Sequence, residues 1–186
     1  MSGYGDKPFG LRQVTLTPVD GGAAVELPRA RLLRFGETVL SGRQRGWGKI
    51  DRVVTVSDAV VFELEAGGIS LEAYALMTGR TVTTSGTTPN QTTTLAGAAH
   101  KAFPYFKIVG KALSDTRDDA TVTIFKAKLT DGLSGDFQDG QFWMSACRGM
   151  GIDDGVNGTW RVEQHEVETG LFVIGFSLVG GLDRVY

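Results

Sequence analysis

Between residues 50 and 65 the chain alternates apolar and polar positions. Val54, Val56, Val60, Phe62 and Leu64 fall on one side, and Thr55, Ser57, Glu63 and Glu65 on the other. A two-residue period predicts a strand in a sheet with one dry and one wet face. Weaker alternation predicts strands at 11–18, 25–35, 103–111, 120–130, 141–148 and 159–167, with Pro28 marking an edge or a bulge. In the segment 141–148, Phe142 and Met144 oppose Trp143 and Ser145. In 159–167, Trp160 and Val162 oppose Thr159, Arg161 and Glu163. The nearly all-apolar run 171–179 predicts a strand buried on both faces. Asp20-Gly21-Gly22, Asp131-Gly132, Asp139-Gly140 and Asn157-Gly158 are turn signals between these runs.

One segment switches from strand to helix period. After Gly67-Gly68, residues 70–78 predict a single short helix. Ser70 is placed to cap it, Glu72 lies in its first turn, and Gly79 follows as a left-handed terminator. Ile69 and Tyr74 stand at the spacing of a hydrophobic staple. The helix is apolar nearly all round, so it is expected to be covered on more than one side, through Ile69, Leu71, Tyr74 and Leu76.

Two segments lack either period. Residues 36–49 combine four glycines with Arg43, Arg45, Trp47 and Lys49, and predict an exposed mobile loop or the tip of a long hairpin. The threonine-rich, charge-free 81–94 predicts a loop around Pro89-Asn90. The whole reads as one mainly β domain over 1–186, an antiparallel β-sandwich or open barrel with one short flanking α-helix, a long loop and extended termini at 1–10 and 180–186.

Composition removes several function classes. Nineteen basic against 21 acidic residues, net −2, give no support for a basic nucleic-acid-binding domain. A single cysteine, Cys147, excludes an internal disulfide and a cysteine-based zinc site. The first ten residues lack the apolar core of a signal peptide, and no apolar run is long enough for a membrane span; a soluble chain made in a cytoplasm is expected.

Candidate chemistry is sparse. His100 and His165 have no second histidine at ligand spacing, and each reads as an exposed polar residue. Cys147 reads as a half-buried small residue. Residues 42–49 fail as a phosphate loop, since the glycine spacing and the terminal Ser or Thr are missing. Arg43, Arg45, Trp47 and Lys49 could touch nucleic acid by charge and stacking, but three cations are few, and a loop docking on an acidic protein surface reads better. Asp118-Asp119 and Asp153-Asp154 are turn-like, without a calcium-loop pattern. No catalytic, cofactor or metal residue is therefore assigned. A sheet protein with long polar arms and no site reads as an assembly subunit.

At this point the chain resembles a family, the tail tube (major tail) proteins of long-tailed, siphovirus-type bacteriophages and related prophage tails. The resemblance lies in 62–79 (FELEAGGISLEAYALMTG), 104–111 (PYFKIVGK), 124–130 (IFKAKLT) and 137–142 (FQDGQF), and spans roughly residues 11–169. It implies hexameric rings stacking into a hollow tube, with strands from each subunit closing an inner barrel and the helix packed outside. It also implies a non-enzymatic virion protein assembled in the host cytoplasm, which meets tape-measure, distal-tail and terminator proteins and lets double-stranded DNA pass through the lumen. By position, 36–49 would be the inter-ring loop, with Arg43, Arg45, Trp47 and Lys49 docking on the next ring, and 25–35 and 50–65 the lumen strands.

A conduit must not hold DNA, because each neutralised phosphate adds affinity. The cation-free wet face of 50–65 suits that role, so Thr55, Ser57 and Glu63 are expected to face the lumen. Arg29, Arg31 and Arg34 on the preceding strand run against it unless they pair with acidic groups between subunits. The alternatives are a non-catalytic β-sandwich binding module, or a terminator or joining ring of the same machine. A binding module would want clustered exposed aromatics, whereas Trp143 and Trp160 read as core.

Overall fold

The structure is a computed structural model and describes residues 8–68, 70–97, 99–114, 120–136, 139 and 144–165. Eleven strands and one helix follow in chain order among these residues. The first part holds β1 (Pro8–Pro18), β2 (Val25–Leu27), β3 (Ala30–Gly46), β4 (Lys49–Gly67) and α1 (Leu71–Thr78). Then come β5 (Val82–Ser85), β6 (Thr92–Leu95), β7 (Phe106–Ser114), β8 (Ala120–Leu129), β9 (Ser134–Asp136), β10 (Met144–Ile152) and β11 (Trp160–Gln164).

One antiparallel sheet runs in the order β2-β1-β7-β8-β10-β4-β3, with β11 added to β8 and β9 to β10. It curls on itself. Phe62 on β4 meets Phe106 on β7 edge to face, with ring centroids 6.2 Å apart, although β8 and β10 lie between them in the sheet. Val14, Leu16, Val60, Leu64, Ile108 and Ile124 fill the space enclosed. β1 and β3 touch without pairing, so the sheet stays open there, and the long strand β3 forms one edge. The expected mainly β antiparallel architecture with one short helix is what the chain adopts.

Two glycines allow the tight turn of the wall. β10 pairs with both β8 and β4, and Gly149 and Gly151 face the core there. A Cβ at Gly149 would strike the Lys128 carbonyl and the Phe62 ring; at Gly151 it would lie 2.6 Å from Ile124 and 2.7 Å from Val60. Glycine at a corner where another backbone approaches closely is the usual solution.

The helix has the predicted caps. Ser70 Oγ accepts from Ala73 N at 3.3 Å, and Gly79 ends the helix at φ 66°. Its packing differs in part from expectation. Tyr74 is buried and Leu71 and Leu76 are half-buried against the core, but Ala73, Met77 and Thr78 are buried too, because the strands come close to the small Ala73. Thr78 Oγ1 donates to the Tyr74 carbonyl at 2.6 Å, which lets a hydroxyl sit inside. Ile69, and with it the staple, lies outside the described residues.

Four segment boundaries need correction. The expected strand 25–35 is broken by a turn at Pro28-Arg29, where Arg29 takes φ 51°, into β2 and β3. Of the two expectations for 36–49, a mobile loop or the tip of a long hairpin, the hairpin holds, and its strand pairing starts further back than a tip would, with Gly36 paired to Val61 and Gly42 to Val54. The threonine-rich segment forms a small hairpin, β5 with β6. Pro8–Gly10, expected in an N-terminal arm, already belong to β1. Residues 141–143, the run 171–179 and the C-terminal arm lie outside the described residues.

Candidate assembly surface

β3 and β4 leave the body as a two-stranded arm. Gly46 and Lys49 pair across a two-residue turn, in which Trp47 (φ 52°) and Gly48 (φ 74°) are both left-handed. That is the geometry of a type I′ hairpin turn, which matches the strand twist. Trp47 stands fully exposed at its tip, and Arg43, Arg45 and Lys49 are exposed on the paired strands beside it.

A bulge decides which way the arm's side chains point. Thr38 pairs with Ala59 but Val39 pairs with Ser57, so Asp58 is the extra residue. An extra residue shifts the alternation by one and moves every later side chain to the other face. The faces inferred from alternation are therefore wrong for half of β4. Val60, Phe62 and Leu64 do face the core. Beyond the bulge Thr55 and Ser57 continue that core-side face, and Val54 and Val56 join Val61 and Glu63 on the outer side. Thr55, Ser57 and Glu63 do not share a face. Side-chain contacts agree: Ser57 Oγ donates to Glu37 Oε1, which also accepts from Trp160 Nε1 at 3.3 Å, and Trp160 packs on Phe35 at 5.5 Å. Trp160 is half-buried at the rim of the core, whereas Val162, expected inward beside it, is exposed.

The arm exposes apolar residues on both sides, most of all on the outer one. Val39, Leu40, Val53, Val54 and Val56 have 48–62% of their surface exposed. On the outer side Leu40, Val54 and Val56 continue through Val61 to Met150, its partner on β10. Soluble monomers rarely leave such a continuous apolar stripe open.

At the arm's root, Glu63 is held by two arginines. Arg148 Nε and Nη2 donate to Glu63 Oε1 at 2.9 and 2.7 Å, and Arg34 Nη1 donates to Oε2 at 3.0 Å. The Arg148 hydrogen bonds, with help from both guanidinium charges, hold the Glu63 carboxyl below its ordinary range. Some of Arg29, Arg31 and Arg34 were expected to pair with acidic groups between subunits; Arg34 has its acidic partner, Glu63, within the chain. Glu63 was expected on a wet, lumen-facing side without a partner, since nothing in the sequence brings Arg148 to it. A cavity of about 360 Å³ opens beside the cluster, floored by Val61 and Phe62 and reached past Thr130 and Asp131.

The remaining candidates are structural. Burial pushes the Cys147 thiol up to about 12, and its sulfur lies 3.9 Å from Met77 Sδ. His165 Nε2 and Thr121 Oγ1 are 3.2 Å apart. Asp154 accepts from Val156 N, Asn157 N and Asn157 Nδ2 at 2.6–2.9 Å; these bonds, led by Asn157, lower it to about 2 and close the turn. Among the described residues no three His, Cys, Asp or Glu side chains group to hold a metal, and no helix is long and apolar enough to cross a membrane.

No protein-family model and no curated protein matches this chain. Among solved structures it is similar to a chain of the anti-feeding prophage cap, described as its tube terminating cap, at 11% identity and a TM-score of 0.46, over 81% of this chain and 87% of that one. It is also similar to a chain of the anti-feeding prophage baseplate, at 12% identity and a TM-score of 0.44, over 89% and 95%. At these values the likeness is one of outline, and no function is carried over from it.

Proposed function

We propose that this chain is a tail tube subunit of a siphovirus-type phage or a related prophage tail, forming hexameric rings that stack into a hollow conduit for DNA. The β3–β4 arm carries the proposal. A two-stranded ribbon with one exposed apolar face is marginal in water, and another subunit would cover that face. β3, which pairs only with β4 among the described residues, offers backbone for a shared barrel, which would remove the exposed edge. The motifs of residues 62–79, 104–111, 124–130 and 137–142 supply the family resemblance.

In this reading Arg43, Arg45, Trp47 and Lys49 dock on the neighbouring ring. Of the expected lumen residues, Glu63 would keep that role at the arm's root, while a neighbouring subunit would cover Leu40, Val54 and Val56 further along the same side. Thr55 and Ser57, beyond the bulge, turn the other way. The clamped pairs Glu63–Arg34 and Glu63–Arg148 leave the arm's root less attractive to phosphates than free arginines would. The subunit would act in the virion tail after assembly in the host cytoplasm, beside tape-measure, distal-tail and terminator proteins, without catalysis or cofactor.

Negative-stain electron microscopy of the purified chain over a concentration series tests this. Hollow tubes of stacked rings are expected. Rings that never stack at any concentration would favour a terminator or joining ring, and a strictly monomeric particle a binding module.

A further inference from the structure

The β7–β8–β11 part of the sheet carries a second feature. Tyr105, just before β7, and Lys107 on it point outward, away from the buried Phe106 and Ile108, and meet outward residues of β8. The ammonium groups of Lys126 and Lys128 lie 5.1 and 4.9 Å from the centre of the single Tyr105 ring. Next to them Arg161 of β11 covers Phe125 at 5.1 Å. Among the described residues no carboxylate pairs with Lys107, Lys126 or Lys128. Two like charges gathered on one ring repel each other, and an anion placed between them relieves that repulsion.

Lys107 also lines a hollow of about 400 Å³ of mixed character, together with Thr17, Pro18, Val19, Phe125, Asp154 and Asn157. Val19 is 43% exposed, and Val156 on the adjoining loop is 87% exposed. The Asp154 carboxylate accepts three hydrogen bonds from its own turn and makes no ion pair with the lysines.

We propose that this outer face of β7, β8 and β11 docks an acidic polypeptide segment of a partner protein, with its carboxylates on Lys107, Lys126 and Lys128 and an apolar side chain in the hollow. The chemistry selects a polypeptide over nucleic acid. Bases need free aromatic faces to stack on, and cations already cover Tyr105 and Phe125. Asp154 and Glu163 interrupt the positive surface, so an unbroken phosphate backbone meets repulsion that a peptide with spaced acids avoids. Pro18, Val19 and Phe125 beside Lys107 offer such a segment a place for an apolar side chain between its acids.

Fluorescence anisotropy on the full chain at physiological salt tests this with three labelled probes. They are a short peptide of glutamates interrupted by leucines, an all-glutamate peptide of the same length, and a short DNA duplex. The leucine-bearing peptide is expected to bind at least about tenfold more tightly than either other probe. The double substitution Lys126→Ala/Lys128→Ala should weaken it by about tenfold or more. Lys126→Arg/Lys128→Arg should retain binding, with unchanged circular dichroism as the folding control for both variants. Tighter binding of the duplex would overturn the proposal in favour of nucleic acid. Peptide binding that is absent, or indifferent to the alanine substitutions, would overturn it outright.

Discussion

Thr38 and Ala59 are joined twice across the β3–β4 ladder. The Thr38 hydroxyl accepts from Ala59 N at 3.1 Å and donates to the Ala59 carbonyl at 3.0 Å. The pair sits where Asp58 is squeezed out, so a side chain replaces the ladder bonds that the bulge removes. Thr38→Val keeps the shape and deletes both bonds. It is expected to cost about 1–3 kcal/mol, the range for leaving part-buried backbone groups unpaired. Urea unfolding of the two proteins measures this, and an unchanged midpoint would mean water replaces the hydroxyl freely.

Deleting Asp58 makes a sharper prediction. Without it Ser57 and Ala59 are adjacent, so Thr38–Ala59 and Val39–Ser57 become successive pairs of a regular ladder, and Val54 and Val56 keep the outer side. The core residues Val60, Phe62 and Leu64 keep their places, so the protein should stay folded by circular dichroism. Assembly into tubes should be retained, because every arm side chain keeps its face. Loss of tubes from the folded deletion variant would show that the bulge does more than set the facing of the arm.

Glu63 gives the protein a predictable acid sensitivity. Its folded pKa is depressed from the ordinary value of 4.5 by Arg148 and Arg34. A depressed carboxylate contributes stability that is present above its unfolded pKa and lost as pH falls through the folded one. Glu63→Gln should therefore be less stable than the parent at neutral pH, and the gap should close as the pH falls below about 4.5. Denaturant midpoints at several pH values read this directly. A gap independent of pH would assign the effect to shape and not charge.

The same residues show how far the sequence alone carries. Residues 60–66 of β4 alternate in register with their burial, and the helix caps Ser70 and Gly79 act through near neighbours; both were legible. Asp58 was not, because a bulge is defined by the partner strand, and nothing local distinguishes it from any other polar residue. Glycines at 36, 42 and 46 suggested a loop, yet pairing to β4 overrode their weak strand preference. Glu63, Arg34 and Arg148 are far apart in sequence, so their cluster exists only through the strand order. The lysines on Tyr105 were hidden likewise, since an irregularity in the β7–β8 pairing between Phe106 and Ile108 sets where Lys126 points.

Gly149 tests the wall's corner. Adding one methyl there forces the Phe62 ring and the Lys128 carbonyl apart, and the carbonyl cannot move without breaking the β8–β10 pairing. Gly149→Ala should lower stability by roughly 1–3 kcal/mol or more, as for other overpacked sites. Gly132→Ala, with nothing within 4 Å of the new methyl, is the control and should lie close to the parent. Thermal unfolding compares the three, and equal midpoints for both variants would show that the corner relaxes without cost.

Trp47 separates folding from assembly. Its side chain lies fully exposed at the tip of the arm and packs on nothing in its own subunit, so Trp47→Ala should leave unfolding within about 0.5 kcal/mol of the parent. A residue that costs nothing in the monomer and presents a large aromatic surface is suited to a contact made only between subunits. If the tip docks on the next ring, the substitution should raise the concentration needed for tube growth by about tenfold or more, the cost of losing an interface anchor. Trp47→Phe should recover part of it. Sedimentation of tubes against free subunit gives the critical concentration for each variant. Identical values for Trp and Ala would place the inter-ring contact elsewhere on the arm, with the exposed stripe of Leu40, Val54 and Val56 as the next surface to substitute.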